Sequence, residues 1–82
     1  MITITYFGSL KTLQPAGCEQ IEWDGGTTDE LLALLRDRGP DWREALQPGR
    51  VFKLALNHRL LHAAAPVSDG DEVAILPPVT GG

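Results

Sequence analysis

The chain closes on Pro77-Pro78-Val79-Thr80-Gly81-Gly82, and the group there that can do chemistry is the carboxylate of Gly82. An ordinary C-terminal carboxylate, with a pKa near 3.5, is an anion at neutral pH and a poor electrophile. It reacts with a nucleophile only after activation to an acyl phosphate. The sequence contains neither G-x-x-x-x-G-K-S/T nor G-x-G-x-x-G, so the ATP for that step is expected on a partner. Two adjacent prolines lack ladder donors and cannot continue a central strand. The six residues from Pro77 are therefore expected to leave the domain as an extended segment, reaching roughly 20 Å at ~3.3 Å per residue. The last two have no Cβ and fit a channel too narrow for any side chain. With Gly at about 7% of residues, two terminal glycines coincide by chance in roughly one chain in 200. A frayed terminus, the plain alternative, leaves Pro-Pro before Gly-Gly unexplained.

Cys18 has no Lys, Arg or His beside it in sequence to activate it and reads as a structural thiol at a strand edge. His58 and His62 stand four apart, but the segment between them lacks helical periodicity and no acid or thiol completes a zinc set. Asp69, Asp71 and Glu72 fail the spacing of a calcium loop, and a tight turn accounts for them. Trp23 and Trp42 are assigned to the core or its edge. Phe52, Leu54 and Leu56, or the face opposite them, are candidates for an apolar patch that receives partner enzymes. No Ser-His-Asp, Cys-His or carboxylate pair is placed by its spacing, so the chain is expected to catalyse nothing alone.

Eighty-two residues, 43% hydrophobic and 22% charged, suit one small globular domain. A formal charge of −4 argues against nucleic acid, which calls for a clustered basic face. The apolar runs fall far short of the ~20 residues a membrane helix needs. The opening Met1-Ile2-Thr3-Ile4-Thr5-Tyr6-Phe7 has no basic region leading into an apolar block, and the expected location is the cytoplasm. A single cysteine fits a reducing compartment.

The elements that must position the tail follow from periodicity. Residues 2–7 alternate, with Ile2, Ile4 and Tyr6 on one face, and predict a strand. A second alternating run sets Glu19, Ile21 and Trp23 against Cys18, Gln20 and Glu22, ending at Asp24-Gly25-Gly26. Thr27 with Glu30 three residues on predicts a capping box. Leu31, Leu34, Leu35 and Arg38 then predict a helical stripe, stopped by Gly39-Pro40. Asp41 is the candidate cap of a shorter helix in which Trp42, Ala45 and Leu46 share a face. Gln47-Pro48-Gly49-Arg50 predicts a turn, and residues 51–57 a third strand. Residues 58–66 read as irregular, with a short strand near Arg59-Leu60-Leu61. Asp69-Gly70 turns into a last strand, Glu72 to Leu76, apolar enough to lie centrally. The order predicts an α+β, β-grasp-like domain over 1–76, with a mixed sheet of four or five strands on one main helix, and a flexible tail over 77–82. First and last strands lying in parallel would use the helical section as their crossover.

The tail, preceded by Asp69-Gly70-Asp71-Glu72-Val73, resembles the MoaD family, the small subunits of molybdopterin synthase, and so does the opening Ile4-Thr5-Tyr6-Phe7-Gly8-Ser9-Leu10. Element order and length match throughout. The resemblance implies a ubiquitin-like sulfur carrier. In that chemistry an adenylyltransferase related to the ubiquitin-activating enzymes adenylates Gly82 with ATP, and sulfur replaces the adenylate to leave a thiocarboxylate. Pro77, Pro78, Val79, Thr80 and Gly81 then enter a channel in the large catalytic subunit. There the sulfur passes to a cyclic pterin monophosphate in molybdenum cofactor biosynthesis. The chain itself would hold no cofactor or metal, being the sulfur-donating subunit of a sulfurtransferase complex. Carriers for thiamine thiazole share fold, terminus and activation, but tend to be shorter and to lack the Pro-Pro segment. A ubiquitin-like modifier, joined to target lysines by isopeptide bonds, is the third reading.

Overall fold

A run that alternates β-branched and polar residues has to bury one face, and the opening strand does so. β1 spans Ile2–Tyr6, with Ile2, Ile4 and Tyr6 buried and Thr3 and Thr5 less so. The computed structural model describes residues 1–47 and 52–77. β2 (Cys18–Ile21) runs antiparallel to β1, placing Glu19 opposite Ile4 and Ile21 opposite Ile2. The last strand, β7 (Glu72–Leu76), lies parallel to β1 on its other side, with Val73 opposite Ile4 and Ile75 opposite Tyr6. β4 (Lys53–Leu56) pairs antiparallel with β7, and β5 (Arg59–Leu60) completes a sheet in the order β2-β1-β7-β4-β5. The parallel pairing of first and last strands makes everything between them their crossover.

The main helix, α1 (Thr28–Arg36), starts as its sequence dictates. The Glu30 amide donates to Thr27 Oγ1 at 3.3 Å, and the Thr27 amide donates to Glu30 Oε1 at 3.1 Å. Two orphan donors are thus satisfied, and Asp29 and Glu30 sit at the positive end of the dipole. The buried face, however, is Thr28, Leu31, Leu32 and Leu35, not the expected stripe through Leu34. At 100° per residue Leu34 lies roughly 110° from the centre of that face, and it is 45% exposed. The helix also ends at Arg36, so Arg38 lies beyond it.

Gly39-Pro40 both stops α1 and starts α2 (Pro40–Ala45). Pro40 takes the first helical position, where its missing N–H costs nothing. Asp41, expected as the cap, therefore lies inside the first turn, and Gly39 is the cap residue with no side-chain bond. Leu46 is fully buried at the end of α2, and Arg36 Nη1 donates to its carbonyl at 2.9 Å. The connection after β1 is a 3-10 helix, Gly8–Thr12, that buries Leu10. Two further short strands, β3 (Gly26–Thr27) and β6 (Pro66–Val67), pair as a separate ribbon. The short strand expected near Arg59-Leu60-Leu61 is β5, and the rest of 58–66, read from sequence as irregular, also contributes the start of β6. Of the turn expected at 47–50, positions 48–50 lie outside the described residues, as does position 51 of the third predicted strand.

The core lies between α1 and the face of the sheet carrying Ile4, Tyr6, Val73 and Ile75. Leu54, Leu56, Trp23 and Phe52 pack at its margin. Leu35, with no exposure, accounts for about 1.5–3 kcal/mol of burial on its own. A mixed sheet packed on one main helix in this strand order is the β-grasp fold.

Candidate functional site

The reactive group expected from the sequence is the carboxylate of Gly82. Positions Pro78, Val79, Thr80, Gly81 and Gly82 lie outside the described residues; Pro77, where the segment begins, is described and half-buried. What the structure defines is therefore the root of the tail and the surface around it. β7 delivers that root from the centre of the sheet, held by β1 on one side and β4 on the other. The Phe7 amide donates to the Ile75 carbonyl at 3.1 Å, and Lys53 stands opposite Leu76 in register. The next residue, Pro77, has no N–H to continue the ladder. Its ring rests against Gly8, whose φ is +59° and whose hypothetical Cβ would stand 2.7 Å from Pro77 Cγ.

The sheet face opposite α1 carries Thr5, Ala55, Ala74 and Leu76, since these alternate with the buried residues of their strands. With Phe7 they line an open hollow of about 330 Å³, and His58 and Glu72 stand at its rim. Phe7 is 42% exposed and Leu60, opposite Ala55 in register, is 48% exposed. Of the two candidate apolar faces, Leu54 and Leu56 belong to the core and the opposite face is the open one. That surface runs along β7 to Leu76, the residue before the tail.

The turn that borders the hollow is built by Asn57 and His58, both in the left-handed region at φ +50° and +69°, as a two-residue hairpin demands. Asn57 Oδ1 accepts from the Glu72 amide at 2.9 Å, and its Nδ2 donates to Asp71 Oδ1 at 3.1 Å. Asp71 Oδ2 accepts from the Ser68 amide at 2.8 Å. The Ser68 amide, then Asn57, holds the Asp71 carboxyl below the usual range. The Asp69-Gly70-Asp71 segment is thus a turn that fixes the start of β7, and the terminal amine of Met1 pairs with Asp69. His58 Nε2 lies 3.4 Å from Glu72 Oε2, both exposed. Among the described residues no group of three His, Cys, Asp or Glu is gathered as a metal site. Cys18 is exposed on β2.

One cluster escaped the sequence reading. Tyr6 Oη donates to Glu19 Oε2 at 2.6 Å, and Arg38 donates to both Glu19 oxygens at 2.7 and 2.9 Å. The Arg38 guanidinium lies 4.8 Å from the centroid of Trp42, whose ring meets Tyr6 edge-on at 5.7 Å. Arg38 holds the Glu19 carboxyl low, while burial, then the bond to Glu19, pushes the Tyr6 phenol up. The cluster ties α2 and the connection between α1 and α2 to β1 and β2; its signal was an acid on the inward face of a strand, which requires a partner. No helix among the described residues is long and apolar enough to cross a membrane.

Comparison with known proteins agrees with this architecture. The chain is 33% identical to the molybdopterin synthase sulfur carrier subunit of Haemophilus influenzae and 33% identical to that of Escherichia coli, each over 82 residues and all of both chains. The crystal structure of SAMP1 from Haloferax volcanii, at 22% identity, superposes with a TM-score of 0.75 over 99% of this chain and 98% of that one, and shares the fold. The family model described as the ThiS family matches residues 4–82, everything from within β1 to the terminal glycines, and the chain belongs to that family.

Proposed function

We propose that this chain is the sulfur-carrying subunit of a molybdopterin synthase, working through the Gly82 carboxylate. The full-length likeness to two molybdopterin synthase sulfur carrier subunits is the observation that carries the reading. An ATP-dependent partner joins AMP to the carboxylate and releases pyrophosphate. A sulfide-level nucleophile then attacks the acyl carbon and expels AMP, leaving a thiocarboxylate. The large catalytic subunit receives the tail, Pro77 to Gly82, where a carbon–sulfur bond forms to a cyclic pterin monophosphate and water cleaves the acyl carbon–sulfur bond, returning the Gly82 carboxylate. Recognition falls to the domain: the open face bearing Phe7, Leu60, Ala74 and Leu76 docks on the large subunit, and the tail follows from its end.

The division of labour is physically economical. A glycine carboxylate at the end of an extended segment can be activated in one partner and consumed in another, while the same folded surface identifies the carrier to both. Intact mass before and after incubation with an activating enzyme, ATP and a sulfur source tests the chemistry. A gain equal to one oxygen-to-sulfur exchange is expected in the full chain and not in one lacking Gly82. No gain with several competent activating enzymes would remove the carrier reading. Turnover of the pterin precursor on adding the large subunit separates this pathway from thiazole formation. Conjugates of many masses in cell extract would instead indicate a modifier.

A further inference from the structure

Gly8 and Pro77 are 69 positions apart in sequence and meet where the tail leaves the sheet. Gly8 sits at φ +59°, and the ring of Pro77 occupies the space its side chain would take: a Cβ there would meet Pro77 Cγ at 2.7 Å, Cδ at 3.5 Å and Cβ at 3.8 Å. A distance of 2.7 Å between carbons lies far inside their contact separation of about 3.5–4.0 Å. Any side chain at position 8 therefore displaces the proline ring or the backbone beneath it. The backbone has little room to yield on the β1 side, because the Phe7 amide is bonded to Ile75 and β1 pairs with β7 as far as Tyr6 and Ile75. Pro77 has a fixed φ, and it restricts Leu76 before it to extended conformations. A ring held in one place thus fixes where the Leu76–Pro77 backbone leaves the sheet.

We propose that Gly8 is a positioning residue: its missing side chain forms the seat for the Pro77 ring, and that seat sets the angle at which the sulfur-bearing tail is presented. The inference rests on the carrier reading for its consequence, though not for its geometry. A tail aimed wrongly reaches a partner's channel less often in the reactive pose, while docking of the domain is unaffected. The loss belongs in the rate at saturating partner and leaves the affinity of the domain in place.

The test is a mutant cycle. Gly8→Val is expected to slow single-turnover sulfur transfer to the large subunit at least tenfold at saturating partner, with affinity within threefold of the native chain. Gly8→Val combined with Pro77→Ala, which removes the Cγ and Cδ atoms, is expected to recover to within threefold of Pro77→Ala alone. A direction readout needs no enzyme. Cys18, the single cysteine and exposed, takes a spin label, and the paramagnetic broadening of the amides of Val79 to Gly82 reports where the tail lies. Gly8→Val should change that profile and the double variant restore it; Gly8→Ala, which adds only the Cβ, serves in the same way if valine unfolds the domain. Failure of the native chain to accept sulfur removes the carrier reading and leaves the broadening profile to decide the seat. An unchanged profile in folded Gly8→Val and Gly8→Ala overturns the proposal, as does a transfer defect that Pro77→Ala does not relieve.

Discussion

Phe7→Ala is expected to weaken binding of the full chain to the large subunit by roughly 10- to 30-fold while the domain stays folded. Phe7 stands one residue past β1, lines the hollow on the open sheet face, and leaves 42% of its surface in water. A phenylalanine buries about 150–250 Å² when covered, so on the order of 85 Å² remains to be removed from water on docking. At ~25 cal/mol per Å² this is about 2 kcal/mol, or about 30-fold in Kd if coverage is complete. Leu34 is the internal control. It is as exposed, at 45%, but projects from α1 on the side away from the sheet, and Leu34→Ala should leave the affinity within twofold. Titration calorimetry with the isolated large subunit gives both numbers, and thermal unfolding by circular dichroism confirms that each variant is folded. Binding by Phe7→Ala within threefold of native, or an equal loss in Leu34→Ala, would refute docking through the open face.

Leu35→Ala should cost about 3 kcal/mol, because a fully buried leucine leaves a cavity as well as losing its transfer energy. In a domain of this size that lowers Tm by roughly 12–24 °C, whereas Leu34→Ala should shift stability by no more than about 0.5 kcal/mol; equal shifts would reject the helix face described here. The Glu19 carboxyl is held low in the folded state, first by Arg38, so its contribution to stability is complete above its unfolded pKa, near 4.3–4.5. It is lost as pH falls from there through the folded value. Denaturant midpoints between pH 6 and pH 3 should decline steeply in the native chain and less in Glu19→Gln, which starts about 1–3 kcal/mol lower because it leaves Arg38 without its charged partner. Parallel declines would show that Glu19 does not set the acid limit.

The legible parts of this fold are those whose causes are local. The Thr27–Glu30 capping box is closed by atoms three residues apart, and the alternation in residues 2–6 sets Ile2, Ile4 and Tyr6 on the side that β1 buries. The choice of helix face was not local. Leucines at 31, 32, 34 and 35 offer a helix more than one apolar stripe, and packing against the sheet selected Leu32 over Leu34. Two-residue strands such as β3 and β6 have no period to read; they exist because Thr27 and Pro66 lie across from each other. The Glu19 cluster needed Arg38, 19 residues away, and the seat of Pro77 needed Gly8. At the site, the tail stands out in the sequence because Pro-Pro and Gly-Gly are conspicuous by residue type alone, whereas which face of the sheet lies open depends on the side that α1 covers.

The place of β7 between β1 and β4 has a mechanical corollary. A tail that enters a partner's channel transmits load to the strand it continues. An edge strand would resist with one ladder of hydrogen bonds, and could peel away one bond at a time. β7 is held on both sides, by β1 in parallel and β4 in antiparallel register, so displacing it means breaking two ladders together. Its start is pinned as well, by Asn57 through the Glu72 amide and carbonyl. The proline that follows Leu76 has no N–H to continue the ladder, so the sheet ends at a fixed residue. On the proposed carrier role, the central placement of the last strand is what would let the domain hand its terminus to a partner without loosening its own core.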